Sequence, residues 1–205
     1  MGIFSELTHK PWLESQGVID NTHVGGTISL PAVTVGLRVF VAVVTVVFTL
    51  LVVAYSDRMT LADWRPVPEP TLMWLNIIVL FAGSVAMQWA VNSARDGRTG
   101  NVEAGMLIGG ACALAFLVGQ IMVARQLDAL GFFAPTNPAL AFLYLLTALH
   151  GIHLLGGVVA VGRSVLRIWK GYEVQQVRTS VELCAFYWHF LLVVWLVLFV
   201  WLVIT

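Results

Sequence analysis

The stretch that decides the fold is TSVELCAFYWHFLLVVWLVLFVWLVIT, residues 179–205. It is long and apolar enough to cross a bilayer as one helix. Glu182 and His189 are seven residues apart, about two helical turns, so both fall near one face. Ionisable groups in so apolar a segment are costly unless they are paired or reach water. This helix therefore needs neighbours that satisfy them, or it uses them in chemistry.

Composition extends that reading to the whole chain of 205 residues. Hydrophobic residues make up 59% and charged residues 11%, and the mean hydropathy is +0.88. These values describe an integral membrane protein, all-α, a bundle of five transmembrane helices. Net charge is zero, so nothing points to nucleic acid as a partner. Cys112 and Cys184 fall in separate spans and read as packed thiols rather than a disulfide framework.

In chain order, residues 1–32 form a polar segment, cytoplasmic or interfacial, with no apolar run beside basic residues and hence no cleavable signal peptide. Within it His9, Trp12 and His23 read as residues of a solvated or interfacial tail. Residues 33–205 form the helical domain, with spans expected at about 33–55, 71–94, 103–127, 138–168 and 179–205. Arg38 sits near the start of the first span, where it can snorkel to the headgroups. Asn76, Ser84, Gln88 and Asn92 recur at intervals of four or eight in the second span and read as one face turned to other helices. Gly105, Gly109 and Ala113 in the third span permit close helix approach. Asn137 followed by Pro138 reads as an N-cap with proline at the first helical position. The fourth span is on the order of 45 Å long, more than the ~30 Å hydrocarbon core, so it tilts or emerges.

Topology follows from the basic residues. An inside N-terminus puts Lys10, Arg38, Arg95, Arg98, Arg163, Arg167, Lys170 and Arg178 on the cytoplasmic side, against Arg58, Arg65 and Arg125 outside. Eight against three favours N-terminus cytoplasmic and C-terminus outside. Three histidines lie within spans. His150 and His153 share a face three residues apart, just before Gly156 and Gly157. With His189 they read as hydrogen-bonded structural histidines, as metal or haem ligands, or as lipid-headgroup or proton-handling groups. Glu182 reads as an interfacial partner of Arg178 or of a histidine, or as part of a proton path or headgroup site. Trp188 and Trp195, seven apart, share a packing face. No nucleophile stands beside a base and no phosphate loop is present, so catalysis by this chain alone is not expected.

These residues resemble subunit III of the haem–copper (cytochrome c) oxidase family. The resemblance is carried by Glu182, by Tyr187-Trp188-His189-Phe190 with Val193-Val194-Trp195, and by His150-Gly151-Ile152-His153 with Gly156-Gly157. Asn76, Met87-Gln88-Trp89-Ala90 and Gln120 add to it. It covers about residues 34–205, in the short five-helix bacterial form. Two positions depart from the family pattern: Val44 stands where a mid-membrane glutamate is usual, and Leu192 where an aspartate follows the histidine. The resemblance implies a non-catalytic accessory subunit in a bacterial inner (plasma) membrane. It implies no cofactor in this chain, with haem and copper in partner subunits. It also implies packing on subunit I, association with subunit II and other small subunits, and phospholipid bound in a cleft for which His150, His153, Glu182, Trp188, His189 and Trp195 are candidates. A subunit III-like role in a nitric oxide reductase is the alternative, and an independent cytochrome using His150 or His153 with His189 is a third reading.

Overall fold

The computed structural model describes residues 32–61, 64, 70–132 and 137–204. The expectations for His9, Trp12 and His23, for the 65–69 part of the first loop and for Pro135-Thr136 lie outside the described residues. Five helices follow one another: α1 (Ala32–Arg58), α2 (Thr71–Arg95), α3 (Thr99–Ala129), α4 (Pro138–Trp169) and α5 (Val174–Ile204). Each is long and apolar enough to cross a membrane.

Helix ends follow local chemistry. Asn137 Oδ1 accepts a hydrogen bond from Ala139 N at 3.0 Å, with Pro138 at the first helical position. This is an N-cap that satisfies one orphan donor. At the other ends Gly97, Gly131 and Gly171 adopt positive φ. There Arg98 N donates to Ser93 O, Phe132 N to Leu127 O and Tyr172 N to Arg167 O. All three ends are Schellman motifs, closed by the residue that enters the left-handed region without a steric penalty.

The helices α2, α3, α4 and α5 form a ring: backbones approach closely at α2–α3, α3–α4, α4–α5 and α5–α2. The α2–α3 seam is the tightest. A methyl on Gly105 would lie 2.9 Å from both the Ala86 carbonyl oxygen and the Ala90 methyl, and one on Gly109 would lie 2.8 Å from Met87 Sδ. The small residues at the i, i+4 spacing are thus spent on this seam. At α4–α5, Gly157 leaves room for the Trp188 and Tyr187 rings.

The helix α1 stands off from the ring. Only Val44, Phe48 and Tyr55 are buried on it. It reaches the ring through rings of its own: Phe40 to His153 and Tyr187, Phe48 to His150 and His153, and Tyr55 to Phe142, with centroids 5.7–6.3 Å apart.

The seam predicts opposite responses at two helix glycines. Gly105→Ala forces α2 and α3 apart and costs about 1–3 kcal/mol. A methyl on Gly162 meets nothing within 4 Å, so Gly162→Ala gains up to ~1 kcal/mol of helix propensity. Thermal unfolding of the two variants in membranes should shift the midpoint down and up respectively.

Candidate functional site

His189, on α5, faces α2. Its Nδ1 is 2.5 Å from Ser84 Oγ and its Nε2 is 3.1 Å from Gln88 Oε1. Gln88 Nε2 donates onward to Asn92 Oδ1 at 3.2 Å. An amide oxygen can only accept, so Nε2 carries the proton and Nδ1 accepts from the serine hydroxyl. Both ring nitrogens are therefore engaged by the protein.

The polar residues of α2 do not act as one inward face. Asn76 and Ser84 are buried, whereas Gln88 and Asn92 are exposed. The reason is angular: at 3.6 residues per turn, positions 76 and 92 differ by about 160° around the helix. A set spread that widely points partly into the bundle and partly out of it.

Glu182 accepts from Arg178 Nε at 3.2 Å, one turn earlier, and from Arg95 Nε of α2 at 3.5 Å. Its side chain is 35% exposed, so the pairs are worth at most ~1 kcal/mol. On the same end of the bundle Trp169 Nε1 donates to Glu103 at 2.6 Å, joining α4 to α3.

His150 and His153 are treated differently. His150 is 0% exposed and is caged by aromatic rings: Trp195 at 5.0 Å, Phe116 at 5.8 Å and Phe48 at 6.3 Å. Neither of its nitrogens has a hydrogen-bond partner in the protein, contrary to the expectation of a hydrogen-bonded histidine. His153 points toward α1 and shares Nδ1–H with the Leu149 carbonyl at 2.7 Å. Tyr187 Oη donates to the His153 carbonyl at 3.1 Å. Trp188 and Trp195 are buried, each 1% exposed. Trp195 packs edge-on to Phe116 at 5.1 Å. Cys112 and Cys184 are free thiols.

Where α1 stands off, a cleft of about 760 Å³ opens between α1, α4 and α5. Of the six candidates, His153 and Trp188 line it; His150, Glu182, His189 and Trp195 lie elsewhere. Arg163 and Arg167 line its arginine-rich end together with Ser180. Sequence reasoning used these arginines only for topology. Their i, i+4 spacing on an otherwise apolar helix is the signal for a charged strip. Among the described residues no group of three or more His, Cys, Asp or Glu is placed to hold a metal ion.

Comparison with known proteins bears directly on this arrangement. The family profile for Cytochrome c oxidase subunit III matches residues 18–204. The chain belongs to the cytochrome c oxidase subunit III family. A "Cytochrome c oxidase subunit 3" of Synechocystis sp. is 30% identical over 174 residues, 80% of this chain and 72% of that one. Another from Thermostichus vulcanus is 26% identical over 196 residues, 91% and 94% of the two chains. A "Probable cytochrome c oxidase subunit 3" of Mycobacterium tuberculosis is 28% identical over 140 residues, 67% and 69%. The chain is thus a multi-pass membrane subunit III of an oxidase complex, a component that works with other oxidase subunits.

With both ring nitrogens committed, His189 is a bridge between α5 and α2. His189→Ala leaves the Ser84 hydroxyl, 5% exposed, without its partner and costs about 1–2 kcal/mol. The complex should lose thermal stability while its optical spectrum stays unchanged; loss of an absorption band from an intact complex would contradict this assignment.

Proposed function

We propose that this chain is a non-catalytic subunit of a terminal haem–copper oxidase in a bacterial plasma membrane. Its N-terminus is cytoplasmic and its C-terminus outside, the haems and copper reside in partner chains, and it packs on subunit I. The observation that carries this reading is the exposed polar strip of Gln88, Asn92 and the half-exposed His189. Carboxamides facing hydrocarbon want partners, and a neighbouring polypeptide with its own hydrogen-bonding groups supplies them. Above the strip the same face of α2 continues as exposed Trp74, Ile78, Phe81 and Val85, an apolar surface that a partner helix can cover.

The cleft between α1, α4 and α5 takes a phospholipid on this reading. Its walls are apolar with aromatic edges from Phe40, Tyr187 and Trp188, and Arg163 and Arg167 stand at one end. An acyl chain fits the walls, and guanidinium groups pair with a phosphate. His153 and Trp188 are the two candidates that touch this lipid. His150, Glu182, His189 and Trp195 hold the helices that shape the cleft.

Val44 and Leu192 are 2% and 8% exposed and belong to one apolar core cluster. The family's two carboxylate positions are filled by packing here, which favours a complex that moves no protons through them. That observation keeps the nitric oxide reductase alternative as a second reading, and the copurifying chains separate the two.

One purified complex tests both surfaces. Gln88→Leu with Asn92→Leu should release this chain in mild detergent, and Arg163→Gln with Arg167→Gln should remove about one tightly bound phospholipid per complex. A chain that stays bound in the first variant, or unchanged lipid content in the second, would overturn the corresponding assignment.

A further inference from the structure

The side-chain hydrogen bonds between α5 and the outer face of α2 all run one way. Thr45, Thr49, Ser56 and Ser164 donate their hydroxyl protons to the carbonyl four residues earlier. The Ser84 hydroxyl instead meets His189 Nδ1, so its proton goes to the imidazole. His189 Nε2 then donates to Gln88 Oε1, and Gln88 Nε2 to Asn92 Oδ1. Each link fixes the next, and both amides end with N–H groups pointing outward. Among the described residues, one N–H of Gln88 and both of Asn92 are left for a neighbour. About one turn further on, Arg95 stands exposed. It shares Glu182 with Arg178, so two guanidiniums face one carboxylate, and the adjacent Asp96 is taken by Arg98. The strip from Gln88 to Arg95 is therefore a row of donors with a positive end, and its complement is an anionic acceptor.

Depth decides what carries that acceptor. The helix α2 has 25 residues, about 37 Å, so roughly 4 Å projects at each end of a centred ~30 Å core. Asn92 then lies near the hydrocarbon boundary, but Gln88 lies about 7 Å inside it. Lipid phosphates and esters sit at or beyond the boundary, out of reach of Gln88, whereas a side chain of a spanning helix is not. The rest of the face fits a helix too. Trp74, Ile78, Phe81, Val85, Gln88 and Asn92 are all exposed and follow in alternating steps of four and three. This is the 3.5-residue repeat by which one helix packs along another, at a crossing of about 20°. The seam is about 27 Å long, nearly the whole core rather than one leaflet.

We propose that this seam docks one transmembrane helix of a partner subunit, and that the helix carries an aspartate or glutamate whose carboxylate meets the Gln88 and Asn92 amides, with the Arg95 charge one turn away. The proposal rests on the reading that this chain packs on other oxidase subunits, and it adds the face and the chemistry of that contact. Two polar positions in an otherwise apolar seam set the register, as a buried asparagine does in a coiled coil.

The test uses the intact complex in membranes. Benzoylphenylalanine placed at Phe81 or at Val85 should crosslink the same partner helix. That helix should hold an Asp or Glu about two turns from the Val85 crosslink, toward the Arg95 end. Asn92→Lys keeps a donor at the strip, whereas Asn92→Asp sets carboxylate against carboxylate. In mild detergent the aspartate variant should retain the partner about ten-fold less than the lysine variant. Crosslinks confined to lipid, a crosslinked helix without a carboxylate at that level, or retention of the aspartate variant equal to or above the lysine variant would each overturn the seam. The broader reading fails separately: a chain that still copurifies with haem–copper subunits after such a result packs on them by another face, while absence of those subunits from the wild-type complex sinks that reading whatever Phe81 crosslinks.

Discussion

Lipid tails are as apolar as leucine, so no hydrophobic force draws one helix of this chain to another. The structure depends on what remains: close packing of backbones and hydrogen bonds that have no rival in hydrocarbon. Gly105 and Gly109 bring α2 against α3. His189 then ties α5 back to α2 through Ser84 and Gln88, and Gly157 seats the α5 aromatics on α4. These contacts close the ring of four helices, and the position of every other functional feature follows from that closure.

The helix α1 makes the complementary point. Its sequence is rich in valine, and its one helical glycine, Gly36, meets no neighbour: a methyl there would find nothing within 4 Å. Its rings meet α4 and α5 at 5.7–6.3 Å, and the space left over is the cleft. A weakly packed helix therefore produces the recess, and the arginines of α4 give one end of it a charge. The polar strip on α2 and α5 arises in the same way, from residues that the ring leaves facing outward.

Much of this was legible beforehand. Long apolar runs announced five helices, Asn137-Pro138 announced the start of α4, and the motifs of α4 and α5 announced the family. The extra turns of α3 before Glu103 and of α5 before Thr179 were not legible from hydropathy. That signal marks where a helix crosses hydrocarbon, while Asn101-Val102 and Val174-Gln175-Gln176 are helical beyond it. The glycines Gly97, Gly131 and Gly171 carried the C-cap signal for three helix ends without being used. Which candidates share a site was also hidden. An offset of three residues puts His150 and His153 on one stripe, yet one lies inside the ring and the other at the cleft, because the ring's edge passes between them. Pairing of Glu182 with Arg95 crosses 87 residues of chain, a distance no local pattern reports.

The most direct test of the central claim is to isolate this chain gently with its partners, identify them by mass spectrometry, and record haem spectra of the complex and of the chain alone. The account predicts haem in the complex, none in this chain, and copper-centre subunits beside it. A haem band in the isolated chain would contradict it and return His150, His153 and His189 to the role of ligands.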